Sequence, residues 1–511
     1  MAQINVTNLT YCYEGSFDNI FENVSFSIDT DWKLGFIGRN GKGKTTFLKL
    51  LLGTYQYKGS ITTSTVFDYF PYRVSKEQME QCGVDFLEEL KPGCELWRVI
   101  CELEKLKVEA EVLYRPFSTL SYGERTKVML AVLFSGGNEF LLIDEPTNHL
   151  DKEAREVVKT YLQKKKGFIL VSHDRDLLDA CIDHVLVLNR TSIEVQSGNF
   201  SSWWENKSRK DAFSKMENEK HKKEIVKLKK ASERTRQWAE KSENSKIGFD
   251  PTKEHDRSIS TRAYIGAKTK KMEKRVKQFE ERIGKEIEEK EGLLQDVEQI
   301  ADLKLFPATH HKEVLLWAKE YQVIYEDGKK PVFQNLNFQL RQGERIFIQG
   351  ENGCGKSTLI KAILKSAKME QEVMGGCFKE EGTLETASGL VISYINQDTS
   401  HLQGSIKEFC RDRQLEESIF CTLLRQLGME RIQFVKDMED YSEGQKKKVL
   451  IAASLLTSAH LYVWDEPLNY IDVFSRMQIE KLILSYKPTM LVVDHDVRFC
   501  EKLATSVLKM C

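Results

Sequence analysis

The chain has 511 residues, with 76 Lys and Arg against 77 Asp and Glu, so its formal net charge is only −1. One domain usually holds about 100–200 residues, so this length predicts about three domains. The 11 cysteines form no C-x-x-C pair, which argues against a zinc site or a disulfide framework and favours a reducing compartment. The sequence shows neither a signal peptide nor an apolar run of about 18 residues. We therefore expect a cytoplasmic protein without a membrane segment.

A phosphate-loop motif of the form G-x-x-x-x-G-K-[ST] occurs twice, at Gly38–Thr45 and at Gly350–Ser357. Each copy follows an apolar strand and precedes a helix, which is the setting that the motif requires. Backbone N–H groups at a helix N-terminus can surround a phosphate, and the motif lysine adds positive charge. The sequence therefore predicts two ATP sites, formed by Gly38, Asn40, Gly41, Gly43, Lys44, Thr45 and Thr46, and by Gly350, Asn352, Gly353, Gly355, Lys356, Ser357 and Thr358.

Tyrosines stand about 25 residues before each phosphate loop. Tyr13 and Tyr325 are our candidates for stacking on the purine of the nucleotide. Tyr11 and Tyr321 lie at similar distances. The alternative for each tyrosine is ordinary packing within a strand.

Further motifs follow each loop in the same order. Ser121 and Gly123 precede Asp144-Glu145, and Ser442 and Gly444 precede Asp465-Glu466; from glycine to aspartate the interval is 21 residues in both copies. Equal spacing indicates duplication of a whole domain. We predict that each aspartate, with Thr45 or Ser357, holds Mg²⁺ and that each glutamate polarises the attacking water. Two solvated acids at a strand end are the alternative.

A further strand in each copy ends in a histidine, His173 in the first and His495 in the second. A single histidine in this position is usually structural. Its repetition favours a functional role, and we predict that both contact the γ-phosphate.

Residues 203–303 are rich in charge and contain one proline, Pro251. The pattern predicts two antiparallel helices of about 35 residues each, joined by a tip at about 241–265. From Lys220 to Lys277 there are 19 Lys and Arg but 8 Asp and Glu. Positive charge beside aromatic residues such as Trp238 and Tyr264 suits structured RNA. A solvated coiled coil is the alternative.

These motifs together resemble the ATP-binding-cassette (ABC) ATPase domain, and two such cassettes in one chain without a membrane segment resemble the ABC-F group. The resemblance implies an α/β fold with two tandem ABC ATPase domains, at 1–202 and 304–511, joined by a long α-helical hairpin linker. It also implies head-to-tail pairing of the cassettes within one monomer. The loop Gly38–Thr45 would then share ATP with Ser442 and Gly444, and Gly350–Ser357 would share ATP with Ser121 and Gly123.

The resemblance assigns further roles to single residues. Glu145 and Glu466 would be the catalytic bases, and Asp151 and Asp472 would connect the two sites. Gln397 would reach Mg²⁺ and water at the second site, whereas Tyr72 stands at that position in the first copy. Because tyrosine cannot fill this role in the same way, we predict unequal turnover at the two sites.

The chain also resembles the Lsa/Vga-type antibiotic-resistance branch of ABC-F proteins. This implies that the hairpin binds the 70S ribosome, beside 23S rRNA and P-site tRNA, and protects the peptidyl-transferase centre against lincosamides, streptogramin A and pleuromutilins. Hydrolysis of ATP would release the protein. Three alternatives are a housekeeping ABC-F translation factor, the ATPase subunit of a membrane transporter and a DNA-repair or chromosome-organising ATPase. A basic hairpin is unexpected in the transporter, and the repair enzymes commonly carry zinc cysteine pairs.

Overall fold

The computed structural model describes residues 2–13, 19–137, 139–148, 150–189, 192–244, 274, 276–279, 281–286, 303–325, 331–369 and 378–510. The chain forms two compact units, of which one contains Met1–Trp203 together with Ala301–Cys511, and the other contains Trp204–Ile300. Both cassettes therefore lie in the same unit. Within the described residues we find no helical segment with the length and hydrophobicity of a membrane span.

The first cassette is built on two sheets. A three-stranded antiparallel sheet has the order Phe21–Asp29, Gln3–Tyr11, Lys58–Thr62. A six-stranded sheet has the order Val66–Phe70, Glu139–Asp144, Phe168–Val171, Lys33–Ile37, His184–Leu188, Ile193–Ser197. Its strands are parallel except for the last pair. Central strands such as Phe168–Val171 are buried throughout, which explains their continuous apolar sequence.

Helices cover these sheets at Lys44–Leu51, Lys76–Met79, Gly83–Leu90, Leu96–Lys105, Tyr122–Leu133, Lys152–Gln163 and Arg175–Cys181. Short 3₁₀ turns lie at Ala110–Tyr114 and Phe117–Thr119. The motif that contains Ser121 and Gly123 in the first cassette, and Ser442 and Gly444 in the second, is here called the signature. The first signature helix begins at Tyr122 because Ser121 caps it, accepting a hydrogen bond from Glu124 N at 3.2 Å. Such a cap satisfies a backbone donor that the first turn leaves unpaired.

The second cassette repeats this plan. Its antiparallel sheet has the order Phe333–Arg341, Val314–Tyr325, Phe378–Thr386. Its parallel sheet has the order Ile392–Ile395, Leu461–Asp465, Met490–Val493, Arg345–Gln349, Ser506–Lys509. Helices lie at Lys356–Ser366, Ile406–Asp412, Glu417–Gln426, Glu443–Leu456, Val473–Tyr486 and Val497–Leu503, with 3₁₀ turns at Arg431–Val435 and Met438–Asp440.

The strand order brings the predicted motifs together in each cassette. In the first, the strand before the phosphate loop pairs with Phe168–Val171, which precedes His173, and that strand pairs with Glu139–Asp144. In the second, Arg345–Gln349, Met490–Val493 and Leu461–Asp465 are neighbours in the same way. All these strands are parallel, so their carboxyl ends meet at one edge, which is where ligands bind in such sheets.

A helix of 45 residues, Phe200–Asn244, runs out of the first cassette. It is longer than the predicted 35 residues because it begins earlier, at Phe200, and continues to Asn244, within the range predicted for the tip. Phe200 and Trp203, at its start, are buried. At a rise of 1.5 Å per residue its length is about 70 Å. A further helical stretch includes residues 276–279 and 281–286. The predicted tip at about 241–265, apart from the end of this helix, lies outside the described residues.

Candidate nucleotide sites

The first phosphate loop closes around the side chain of Lys44. Its ammonium group donates to the carbonyls of Gly38 at 2.7 Å and Arg39 at 3.3 Å, and to Asn40 Oδ1 at 3.1 Å. Gly43, at φ 106°, allows the turn into the helix; a Cβ atom there would lie 2.5 Å from Ile20. Burial lowers the pKa of Lys44, although nearby carboxylates oppose this change. The cation is therefore held at the N-terminus of a helix, where phosphate binds.

The second phosphate loop has the same construction. Lys356 donates to the carbonyls of Gly350 at 2.8 Å and Glu351 at 2.7 Å. Gly353 and Gly355 have φ values of 87° and 95°, which favour glycine. Both loops thus present a lysine and a helix N-terminus to the same edge of their sheets.

The residues predicted to hold Mg²⁺ are paired in both cassettes. Thr45 Oγ1 donates to Asp144 Oδ2 at 2.9 Å, and Ser357 Oγ donates to Asp465 Oδ2 at 3.1 Å. Asp465 Oδ1 is buried and has no hydrogen-bond partner within the described chain. Burial and the neighbouring Glu466 raise the pKa of Asp465 to about 6. Hydroxyl and carboxylate oxygens, with an oxygen left unpaired, fit a magnesium ion that keeps water and phosphate as its other ligands.

The glutamate that follows each aspartate lies beside the predicted histidine. His173 Nε2 is 3.4 Å from Glu145 Oε1, and His495 Nε2 is 3.7 Å from Glu466 Oε1. Both glutamates adopt a left-handed backbone, at φ 52° and 46°. Such backbone strain in a residue other than glycine clusters at functional sites.

At the first site, Glu145 and His173 have pKa values that differ from those of exposed side chains. Burial and the adjacent Asp144 raise the pKa of Glu145 to about 8. Burial and the positive charge of Lys44 hold the pKa of His173 well below its usual range. These shifts favour the protonated form of Glu145 and the neutral form of His173.

The two cassettes differ at the position that Gln397 occupies in the second and Tyr72 in the first. Gln397 Nε2 donates to Glu466 Oε2 at 2.9 Å. In the first cassette, Tyr72 instead donates to Asp68 at 2.6 Å, and Tyr69 donates to Asp144 at 3.2 Å. The sequence analysis did not identify Tyr69 as a neighbour of Asp144. Its position, one residue before the end of strand Val66–Phe70, was the only sign in the sequence that it could reach this edge of the sheet.

Both candidate tyrosines lie against their phosphate-loop helices. The hydroxyl of Tyr13 is 2.7 Å from Thr46 Oγ1, and that of Tyr325 is 2.9 Å from Thr358 Oγ1. Tyr13 is 42% exposed, whereas Tyr11 is 6% exposed. Tyr321 is also buried, at 1% exposure. Tyr13 and Tyr325 are therefore the tyrosines with a ring surface near the loop.

The first phosphate loop faces the signature region of the second cassette. Asn40 Nδ2 donates to the carbonyl of Tyr470 at 2.6 Å. A Cβ atom on Gly444 would lie 3.5 Å from Asn40 Nδ2 and 2.6 Å from Tyr470 O, so the glycine allows this approach. Ser442 caps the adjoining helix. This arrangement places Gly444 next to Asn40 of the first phosphate loop; the sharing of ATP between Gly38–Thr45 and the pair Ser442 and Gly444 stays a prediction.

The corresponding glycine of the second loop has more space around it. A Cβ atom on Gly353 would meet nothing within 4 Å among the described residues, whereas one on Gly41 would lie 3.9 Å from Gln433 Nε2. Gly123 approaches Leu150 and Ala154 of its own cassette. The pairing of Gly350–Ser357 with Ser121 and Gly123 stays a prediction.

A buried ion pair joins the signature helix of the second cassette to Asp472. Lys448 Nζ lies 2.8 Å from Asp472 Oδ2, with 2% and 0% of the two side chains exposed. Although burial alone raises the pKa of Asp472, Lys448 holds it well below its usual range. Asp151, at the corresponding position, caps a helix by accepting from Ala154 N at 2.8 Å. The sequence analysis did not predict that Lys448 is buried, because a run of three lysines normally indicates an exposed surface.

The cassettes also meet through ion pairs away from the loops. Arg175 pairs with Glu480, with side chains 2% and 5% exposed. Arg498 pairs with Asp176, and with Asp179 at 2.6 Å. No sequence signal identifies such contacts, because the partners are more than 300 positions apart.

A sequence model described as ABC transporter matches residues 21–148 and 333–469. The ribosome protection protein VmlR of Bacillus subtilis (strain 168) is 28% identical over 510 residues, covering 99% of this chain and 86% of VmlR. The ATP-binding protein Uup of Buchnera aphidicola subsp. Acyrthosiphon pisum (strain APS) is 26% identical over 529 residues, covering 99% of this chain and 80% of Uup.

Among solved structures, the archaeal ribosome recycling factor aABCE1 in complex with the stalk protein aP1 has a TM-score of 0.59 and 18% identity. The match covers 98% of this chain and 87% of that chain. The RNase-L Inhibitor has a TM-score of 0.57 and 17% identity, with the same coverage of 98% and 87%. At these identities the likeness supports the fold, with two tandem cassettes.

Proposed function

Since this chain belongs to the ABC transporter family, as an ATPase of the ABC-F type with two cassettes, we propose that it protects ribosomes from antibiotics. In this proposal ATP closes the cassettes on each other, and the closed form binds the 70S ribosome. The interdomain segment then acts at the peptidyl-transferase centre against lincosamides, streptogramin A and pleuromutilins. Hydrolysis to ADP and phosphate releases the protein, which works as a monomer in the cytoplasm.

The observation that carries this proposal is the long basic helix between the cassettes. From Lys220 to Lys230 the helix has six lysines and one glutamate. All six lysines are exposed: Lys220, Lys222, Lys223, Lys227, Lys229 and Lys230. Such a row of cations can neutralise the phosphates of RNA. The similarity over 99% of this chain to a protein named for ribosome protection supports the ribosome as that partner, and we propose that the contacts are with 23S rRNA and P-site tRNA.

The two nucleotide sites would make closure of the cassettes depend on ATP. Lys44 and Lys356 would bind the β- and γ-phosphates, and Ser442 and Gly444 would contact the γ-phosphate held by the first loop. Tyr13 and Tyr325 would support the base. Closure then depends on ATP because the γ-phosphate lies between groups of both cassettes.

Hydrolysis needs a base next to the attacking water. Glu466 has this role at the second site, where the amide of Gln397 stabilises its carboxylate by donating a hydrogen bond. Glu145 has the same role at the first site after losing its proton. Neutral His173 can donate one hydrogen bond and accept another, so it can orient the glutamate or the γ-phosphate.

Mg²⁺, when bound, would neutralise charge on the β- and γ-phosphates. Thr45 with Asp144 and Ser357 with Asp465 would hold it, and Gln397 would complete the second site through water. Tyr69 stands beside Asp144 in the first site and would orient that carboxylate.

Drug susceptibility tests the proposal. A sensitive Gram-positive host should express either the wild type or the double variant Glu145→Gln, Glu466→Gln, and be challenged with lincomycin, tiamulin, virginiamycin M, linezolid and erythromycin. We expect the wild type to raise tolerance to the first three drugs and the variant to lose this effect. Unchanged tolerance, with growth arrest by the variant, would instead support a housekeeping ABC-F translation factor.

A further inference from the structure

The first phosphate loop makes a contact that the second loop cannot reproduce. Lys42 Nζ forms an ion pair with Glu430 of the second cassette, with side chains 32% and 51% exposed. Lys42 occupies a variable position of the motif, and the equivalent residue of the second loop is Cys354. Neither residue is among the phosphate-binding groups predicted from the motif.

A continuous set of contacts leads from this ion pair to the second signature. Glu430 N donates to Gln433 Oε1 at 3.2 Å. The other side of the Gln433 amide faces the first loop, because its Nε2 lies 3.9 Å from where a Cβ on Gly41 would stand. The hydroxyl of Tyr441 donates to the carbonyl of Gln433 at 2.8 Å. Tyr441 is 4% exposed and directly precedes Ser442.

The first cassette retains only one of the three equivalent polar groups. Counting back from each signature serine, Gln433 corresponds to Val112 and Tyr441 to Leu120. Both apolar residues are buried, at 7% and 4% exposure. Glu430 corresponds to Glu109, but the loop residue that would meet Glu109 is Cys354, which carries no positive charge. Of the four polar residues, only the glutamate is retained.

We propose that Lys42, Glu430, Gln433 and Tyr441 form a polar bridge that positions Ser442 over the nucleotide of the first loop. Residues of the polar bridge act through Ser442 and are positioning residues. The second site has no such bridge, so ATP closes the two sites with unequal affinity. This inference rests on the proposed function only in requiring that ATP is shared between the cassettes.

The test uses the full chain without ribosomes. In a Glu466→Gln background, only the first site keeps its glutamate, so the ATP dependence of turnover reports on that site. Glu430→Lys should raise the half-saturating ATP concentration about threefold to fivefold, the scale of one exposed ion pair, and change the maximal rate less than twofold. Lys42→Glu should do the same.

Two comparisons separate positioning from a structural role. The double variant Lys42→Glu, Glu430→Lys should restore the half-saturating concentration, because the reversed ion pair can form. Glu109→Gln, the matched change in the first cassette, should leave first-site turnover unaffected, whereas Glu430→Gln should weaken ATP binding. A double variant as weak as either single variant, or an equal effect of Glu109→Gln, would overturn the polar bridge. Absence of ribosome binding would affect the proposed function and not this result.

Discussion

The two nucleotide sites share one set of motifs but differ in what surrounds them. At the first site, Glu145 has its pKa raised to about 8, and Tyr72 turns away toward Asp68. At the second site, Glu466 accepts hydrogen bonds from the side-chain amides of Gln397 at 2.9 Å and Asn469 at 2.6 Å. The first site thus contacts the other cassette through Lys42 and Asn40, and the glutamate of the second site is oriented by two side-chain amides.

This difference separates two tasks that a single ATP site would combine. Contacts across the cassette interface favour closure around ATP, whereas a glutamate oriented by a glutamine favours hydrolysis. We infer that the first site holds ATP and maintains the closed form, and that the second site turns over faster. The following predictions test this division, beginning with the largest effect.

Loss of the second glutamate should have the largest effect. Glu466→Gln should lower steady-state ATPase activity by about 100-fold or more, the scale of a general base. Glu145→Gln should lower it less than twofold, because Glu145 is mostly protonated at pH 7 and the first site contributes little to the total turnover. Phosphate release measured at saturating ATP gives both values. Equal losses would remove the proposed division between the sites.

The ATPase activity that remains in each of these two single variants should depend differently on pH. In Glu466→Gln, turnover depends on Glu145, whose pKa is about 8, so activity should rise about tenfold from pH 6 to 7, reach half its maximum near pH 8 and level off above about pH 9. In Glu145→Gln, turnover should change less over this range. Parallel pH profiles of the two variants would contradict the assignment.

The carboxyl group of Glu145 also affects the stability of the folded protein. Its pKa rises from an ordinary value of 4.5 to about 8 on folding, so the folded protein retains a proton that the unfolded chain releases. Stability should therefore fall as pH rises from about 4.5 to about 8. Glu145→Gln removes this dependence. Its thermal midpoint should exceed that of the wild type increasingly from pH 5 to 8, and a constant difference would argue against a protonated Glu145.

Exchange of the glutamine and tyrosine should have a smaller effect. Gln397→Tyr removes the hydrogen bond to Glu466 and should slow second-site turnover about tenfold, as expected for a bond to a charged group. Tyr72→Gln should change activity less than twofold, because Tyr72 contacts Asp68 and not Glu145. A large gain from Tyr72→Gln would show that the glutamine alone restores the first site.

The smallest effect is expected at Tyr69. Tyr69→Phe removes the hydroxyl that donates to Asp144 at 3.2 Å, and keeps the ring. We expect the Mg²⁺ concentration for half-maximal first-site activity to rise about twofold to threefold. Tyr394→Phe is the matched control, since the hydroxyl of Tyr394 donates to Asn396 at 3.3 Å.

The sequence was sufficient for the local motifs and for the order of the fold. Strand, loop and helix follow each other at Gly38–Thr45 because their determinants are adjacent in sequence, and repeated spacing identified the second cassette. Lys448, Arg175 and the polar bridge were not predicted. Their partners are distant in sequence, and burial of a lysine or arginine depends on tertiary packing that periodicity does not report.

Ribosome binding by the double variant Glu145→Gln, Glu466→Gln tests the central claim most directly. Purified variant and 70S ribosomes would be sedimented through sucrose with ATP or with ADP. We predict that the variant sediments with ribosomes in ATP and remains free in ADP, because only ATP supplies the γ-phosphate that joins the cassettes. Lys44→Ala combined with Lys356→Ala should prevent association. Absence of ribosome association in ATP would contradict the account.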